Sequence, residues 1–163
     1  KWTTYRKMAK DCVDHAATLG KLDGRPSVTR TLNIHGHHPQ AGTLGELRYY
    51  GSDASAIAQL MTSTPDLGRR LHPALPVHAA QLVWAARFEM ARTVDDVLAR
   101  RTRAILLNAR AATEMAPDVA ELLANELDRD AIWQQNQVAE FTSMARNYLI
   151  PGTGAATITG AHA

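Results

Sequence analysis

Two adjacent stretches decide the fold: HAAQLVWAARFEM, residues 78–90, and TVDDVLARR, residues 93–101. The first has apolar residues on most sides of a helix, the pattern of a central element packed all round. Its run of alanines and leucine favours helix over strand. The second carries a capping-box pattern, with Thr93 at the cap and Asp96 three residues on, an Asp standing for the more usual Glu. Together they predict consecutive helices, and the rest of the chain follows that reading.

Working outward, TRAILLNARAATEM (102–115) predicts a further helix that stops before Pro117, which suits the first position of the next. Val119, Leu122, Leu123 and Leu127 share one face of that next helix. The last long helix begins near Asp130, with Val138, Phe141, Ala145 and Tyr148 facing inward. On the other side, Ser52 is expected to cap DASAIAQLMT (53–62), Pro65 and Asp66 start a short helical turn, and Pro73 and Pro76 impose a break. Thr3 or Thr4 caps a leading helix whose stripe is Tyr5, Met8, Cys12, Ala16 and Leu19; Gly20 ends it. KLDGRPS (21–27) is turn-rich, VTRTLNI (28–34) has the β-branched content of a short extended segment, and HGHHPQAGTLG (35–45) reads as loop. The small residues after Pro151 predict a frayed tail. The fold class is therefore all-α, a helical domain with a leading helix and a short irregular or extended link.

Composition narrows the function. The chain has 163 residues, 45% hydrophobic and 21% charged, with a net charge of +2. That balance suits one globular domain and lacks the concentrated basic patch of a nucleic-acid binder. The lysines are Lys1, Lys7, Lys10 and Lys21; arginine carries the remaining positive charge. The single cysteine, Cys12, excludes an internal disulfide, fits a reducing compartment and reads as a small core residue.

Four constellations bear on chemistry. His35, His37 and His38 cluster in a Gly/Pro loop, but a structural zinc site usually takes four ligands and no cysteine is near. A solvated loop is the better reading, and no metal site is assigned. Asp95 and Asp96 point about 100° apart on a helix, so they suit capping and the helix dipole rather than a converging acid pair. Arg100, Arg101 and Arg103 read as a salt-bridge cluster, because no Gly-rich phosphate cradle accompanies them. At the opening, Lys1 stands two residues before Thr3, where a helix N-terminus favours an electron-rich ligand atom. No G-x-G-x-x-G and no nucleophile–base pair occurs in the chain, so the residues alone argue against an autonomous enzyme. On that reading, a stand-alone helical interaction module is the alternative to an enzyme domain.

Three stretches extend the reading. KWTTYRKMAKDCVDHA (1–16), YGSDASAIAQL (50–60) and VWAARFEMARTVDDVLARRTRAILLNARAA (83–112) resemble, in order and spacing, the C-terminal part of FAD-dependent, quinone-linked glycerol-3-phosphate dehydrogenases. The resemblance implies the C-terminal portion of a larger flavoprotein that oxidises sn-glycerol 3-phosphate to dihydroxyacetone phosphate and passes electrons to membrane quinone. It implies that residues 1–27 end the FAD-binding domain, that 28–150 form a helical cap, and that 151–163 are a flexible tail. Lys1 would then face the substrate, and Thr3 and Thr4 would lie beside the flavin. FAD would be held by the upstream domain, leaving these 163 residues alone inactive and without cofactor. The location implied is cytoplasmic, peripheral on the membrane. With its upstream partner missing, the stripe of the leading helix is expected to fold back on the helical domain or pair with a second copy as a homodimer.

Overall fold

The computed structural model describes residues 2–149; Lys1 and the expected tail beyond Leu149 lie outside them. Helix α1 is Tyr5–Leu19, followed by a link of turns and by 3-10 turns over Ala41–Asp53. Helix α2, Ala54–Ser63, leads through a 3-10 turn at Pro65–Gly68 into an antiparallel hairpin, β1 Arg70–His72 and β2 Leu75–His78. Then come α3 (Ala79–Phe88), a π-helical turn at Asp96–Arg101, and α4 (Ala104–Leu107). Helices α5 (Ala109–Leu127) and α6 (Ala131–Ala145) complete a mostly helical domain.

The core is built on alanine. In α5, Ala112, Ala116, Ala120 and Ala124 form one i,i+4 ladder, and Met115, Val119 and Leu123 form the ladder beside it; all seven are buried. Ala79, Ala80, Ala85 and Ala86 of α3 are buried as well, so small side chains let helices approach closely. Leu82, Val94, Val97, Leu98, Ile105 and Phe141 fill the remaining space. Each large side chain so buried contributes about 1.5–3 kcal/mol.

Pro117 lies inside α5 and does not end a helix, contrary to the sequence expectation. A Pro in a helix interior costs about 3 kcal/mol. Met115 before it and Val119 and Leu123 after it share one core, and their burial outweighs that cost. Pro117 itself is exposed, on the side where the freed carbonyl can meet water. The interruption falls earlier, at Asn108, whose Oδ1 accepts from the Ala111 N–H at 3.0 Å and starts α5.

The break at Pro73 and Pro76 is a hairpin. Leu75 and Val77 are buried and alternate with exposed Pro76, a period of two that satisfies an edge strand. By contrast, residues 28–34 form turns and no strand. The loop expected at 35–45 passes into 3-10 turns from Ala41 onward. Asp53, one residue after Ser52, precedes α2, and neither supplies a side-chain cap. In α6, Phe141 and Ala145 are buried as expected, while Tyr148 stands in solvent.

Among the described residues before Gly51, none is fully buried. No residue of α1 is buried, and Cys12 is an exposed thiol rather than a core residue. The helix does not fold back: its Tyr5, Ala9 and Val13 border an open groove of about 520 Å³ whose other wall is Val28, Leu32 and Ile34 of the link. The link is instead tied to the domain where Gly36 meets Gly51 and Ser52, beside the His35–Asp53 contact. Gly51 has φ of 53° and Gly36 has φ of 82°, and the Ser52 N–H donates to the Gly36 carbonyl at 3.2 Å. A Cβ on Gly51 would lie 1.7 Å from that carbonyl oxygen, so both the backbone angle and the space demand glycine.

Gly51→Ala is therefore expected to break this clasp and lower the unfolding free energy by about 1–3 kcal/mol. Urea denaturation measures the loss, and faster exchange of the Ser52 amide locates it. An unchanged midpoint with Ser52 still protected would mean that the clasp is not part of the folded domain.

Candidate functional site

The sequence placed candidate residues at the start of α1, in the histidine loop and in the segment 93–103. Thr4 is the N-cap of α1 by position, but its hydroxyl makes no cap bond and lies 3.7 Å from the Met8 sulfur. Both Thr3 and Thr4 are exposed, and the first turn holds no acidic residue. Among the described residues, the leading N–H groups of α1 thus have no side-chain acceptor, leaving positive dipole available to an external oxygen. The expected role of Lys1 lies outside the described residues.

The histidines do not converge. His35 Nε2 lies 2.7 Å from Asp53 Oδ2, and His38 Nδ1 accepts from the Gln40 N–H at 3.2 Å. Among the described residues, no group of three or more His, Cys, Asp or Glu side chains is placed to hold a metal ion.

Segment 86–101 forms a polar knot around the end of α3. A helix terminus leaves carbonyls without partners, and here two arginines supply them. Arg92 Nη1 donates to the Ala86 and Ala91 carbonyls at 2.8 and 2.9 Å. Arg101 donates through Nε and Nη2 to the Glu89 carbonyl at 2.9 and 2.6 Å. The positive charges also face the negative end of the α3 dipole. Between them the capping box is present: Thr93 Oγ1 accepts from the Asp96 N–H at 3.1 Å, and Asp96 Oδ2 accepts from the N–H groups of Thr93 and Arg92. Arg100 bonds Asp95 and reaches Asp96 at 3.3 Å. Arg101 Nε also lies 4.0 Å from Glu89 Oε2, so the salt-bridge reading of Arg100 and Arg101 holds, whereas Arg103 stands exposed with a left-handed backbone, φ 56°.

Four further polar residues, Gln137, Gln81, Tyr50 and Glu89, escaped the sequence reading. Gln137, buried in α6, accepts from the Val94 N–H at 3.1 Å and donates to Glu140 at 2.9 Å. Gln81, buried in α3, accepts from the His78 N–H at 2.7 Å and donates to the Tyr50 hydroxyl at 3.2 Å. A glutamine inside an otherwise apolar helix is the signal that could have flagged Gln81, because a buried amide must find partners. Burial pushes the Tyr50 phenol up to about 12, with the Glu89 charge adding to it against the Gln81 bond. Burial also raises the Glu89 carboxyl; Asp53 adds to this and Arg101 opposes it.

At Asp96, burial works upward, but the Arg92 and Thr93 N–H groups, the Thr93 hydroxyl and Arg100 outweigh it and hold the carboxyl below its ordinary value of 3.8. A carboxyl depressed in the folded state stabilises the fold above its unfolded pKa and loses that contribution as pH falls through the folded pKa. Asp96→Asn is expected to flatten the loss of stability between about pH 4 and more acid conditions, read from urea midpoints. Thr93→Ala removes the acceptor for the Asp96 N–H and is expected to cost about 1 kcal/mol at neutral pH. If both variants track the unaltered chain, the knot does not hold this turn.

This arrangement holds a helix end in place and presents no reacting pair. Comparison with known proteins places it in context. Residues 23–137 match the family model described as the C-terminal domain of alpha-glycerophosphate oxidase. The mitochondrial glycerol-3-phosphate dehydrogenase of Rattus norvegicus is 32% identical over 162 residues, covering 87% of this chain and 22% of the relative. The Homo sapiens protein is 32% identical, with 85% of this chain and 22% of the relative covered. The Arabidopsis thaliana protein is 30% identical, with 85% and 27% covered. The chain thus spans about a quarter or less of the length of these relatives. No solved structure matches it. With more than half of its residues matched, the chain belongs to the family of the C-terminal domain of alpha-glycerophosphate oxidase, found in the glycerol-3-phosphate dehydrogenases.

Proposed function

We propose that this chain is the helical C-terminal domain of a larger flavoprotein that oxidises sn-glycerol 3-phosphate to dihydroxyacetone phosphate and delivers the electrons to membrane quinone. The observation that carries the reading is the similarity to glycerol-3-phosphate dehydrogenases across 85–87% of the chain. In this reading residues 1–27 complete the FAD-binding domain, residues 28–150 form the cap, and residues 151–163 are a tail. The whole enzyme works at the cytoplasmic face of the membrane. The chain alone is inactive, since it contains no dinucleotide-binding glycine motif.

The residues present suit a flavin at one place. The first turn of α1 has N–H groups without side-chain acceptors and two exposed threonines, Thr3 and Thr4, as a carbonyl-bearing ring edge requires. FAD, when bound, takes up the electrons of the alcohol oxidation. Thr3 and Thr4 would hold its pyrimidine oxygen, where the helix dipole favours the negative charge of the reduced ring. Lys1 would orient the substrate by a charge-assisted bond to its phosphate or hydroxyl.

In the whole polypeptide, Lys1→Ala is expected to lower kcat/KM for glycerol 3-phosphate by about ten- to a hundredfold, as loss of a bond worth about 1.5–3 kcal/mol requires. Bound flavin, read from its absorbance, should stay unchanged. Quinone-linked steady-state kinetics test both. Absence of glycerol 3-phosphate oxidation by the unaltered polypeptide would overturn the function, and unaltered kinetics in the variant would overturn the role of Lys1.

A further inference from the structure

We draw no further inference here: the strongest candidate, the open groove between α1 and residues 28–34 of the link, lined by Val13, Val28, Leu32 and Ile34, is an unpartnered apolar face, and nothing in the structure shows what covers it.

Discussion

The end of α3 is the constraint on which the rest of the domain depends. A largely buried helix must stop, reverse and send the chain back into the same core, and its last carbonyls need donors. Arg92 and Arg101 provide four N–H···O contacts to the Ala86, Glu89 and Ala91 carbonyls. The carboxylate of Asp96 then receives the N–H groups of Arg92 and Thr93. With both ends of the turn satisfied, Val94, Val97 and Leu98 can enter the core without leaving buried polar groups unpaired. Arginine is better suited than lysine here, because its planar fork can place two N–H groups on one carbonyl. The densest polar motif of the chain is thus a device of folding.

Against that rigid centre, the leading part of the chain follows different physics. Among the described residues up to Tyr50 none is fully buried, and this part meets the domain through the Ser52 N–H bond to the Gly36 carbonyl, the His35–Asp53 contact and the Gln81–Tyr50 bond. The apolar stripe of α1 stays open because the link holds it over a groove instead of laying it on the core. The chain spans 22–27% of the length of the relatives it matches.

The reading in the family of alpha-glycerophosphate oxidase C-terminal domains joins these two observations. The helical body is self-sufficient, with an alanine-lined interface between α3 and α5 and large side chains closing the ends. The part with no internal explanation is the first turn of α1. It is a surface, and among the described residues it carries no complete set of reacting groups. Chemistry would then be shared between polypeptide regions, with this one supplying a positive helix end and a scaffold.

Much of this was legible locally. The Thr93–Asp96 box, the helix start at Asp130 and the shared inward face of Val119 and Leu123 follow from spacings of three and four, which involve neighbours on one helix. The resemblance of residues 1–16 and 83–112 likewise pointed to the family from the sequence alone. What escaped the reading depended on partners far along the chain. Pro117 continues a helix because residues on both sides of it meet the same core. Pro73 sits in the turn and Pro76 in the second strand of a hairpin, because Leu75 and Val77 find that core. Cys12 sits in solvent because its helix has nothing here to pack on. Gln137 is needed by Val94, 43 residues away. Helix periodicity and caps are short-range properties, so the sequence by itself determined which segments are helical. Burial is a sum over distant contacts, so only the tertiary structure decided which faces are covered, which breaks are tolerated and which apolar groups remain outside.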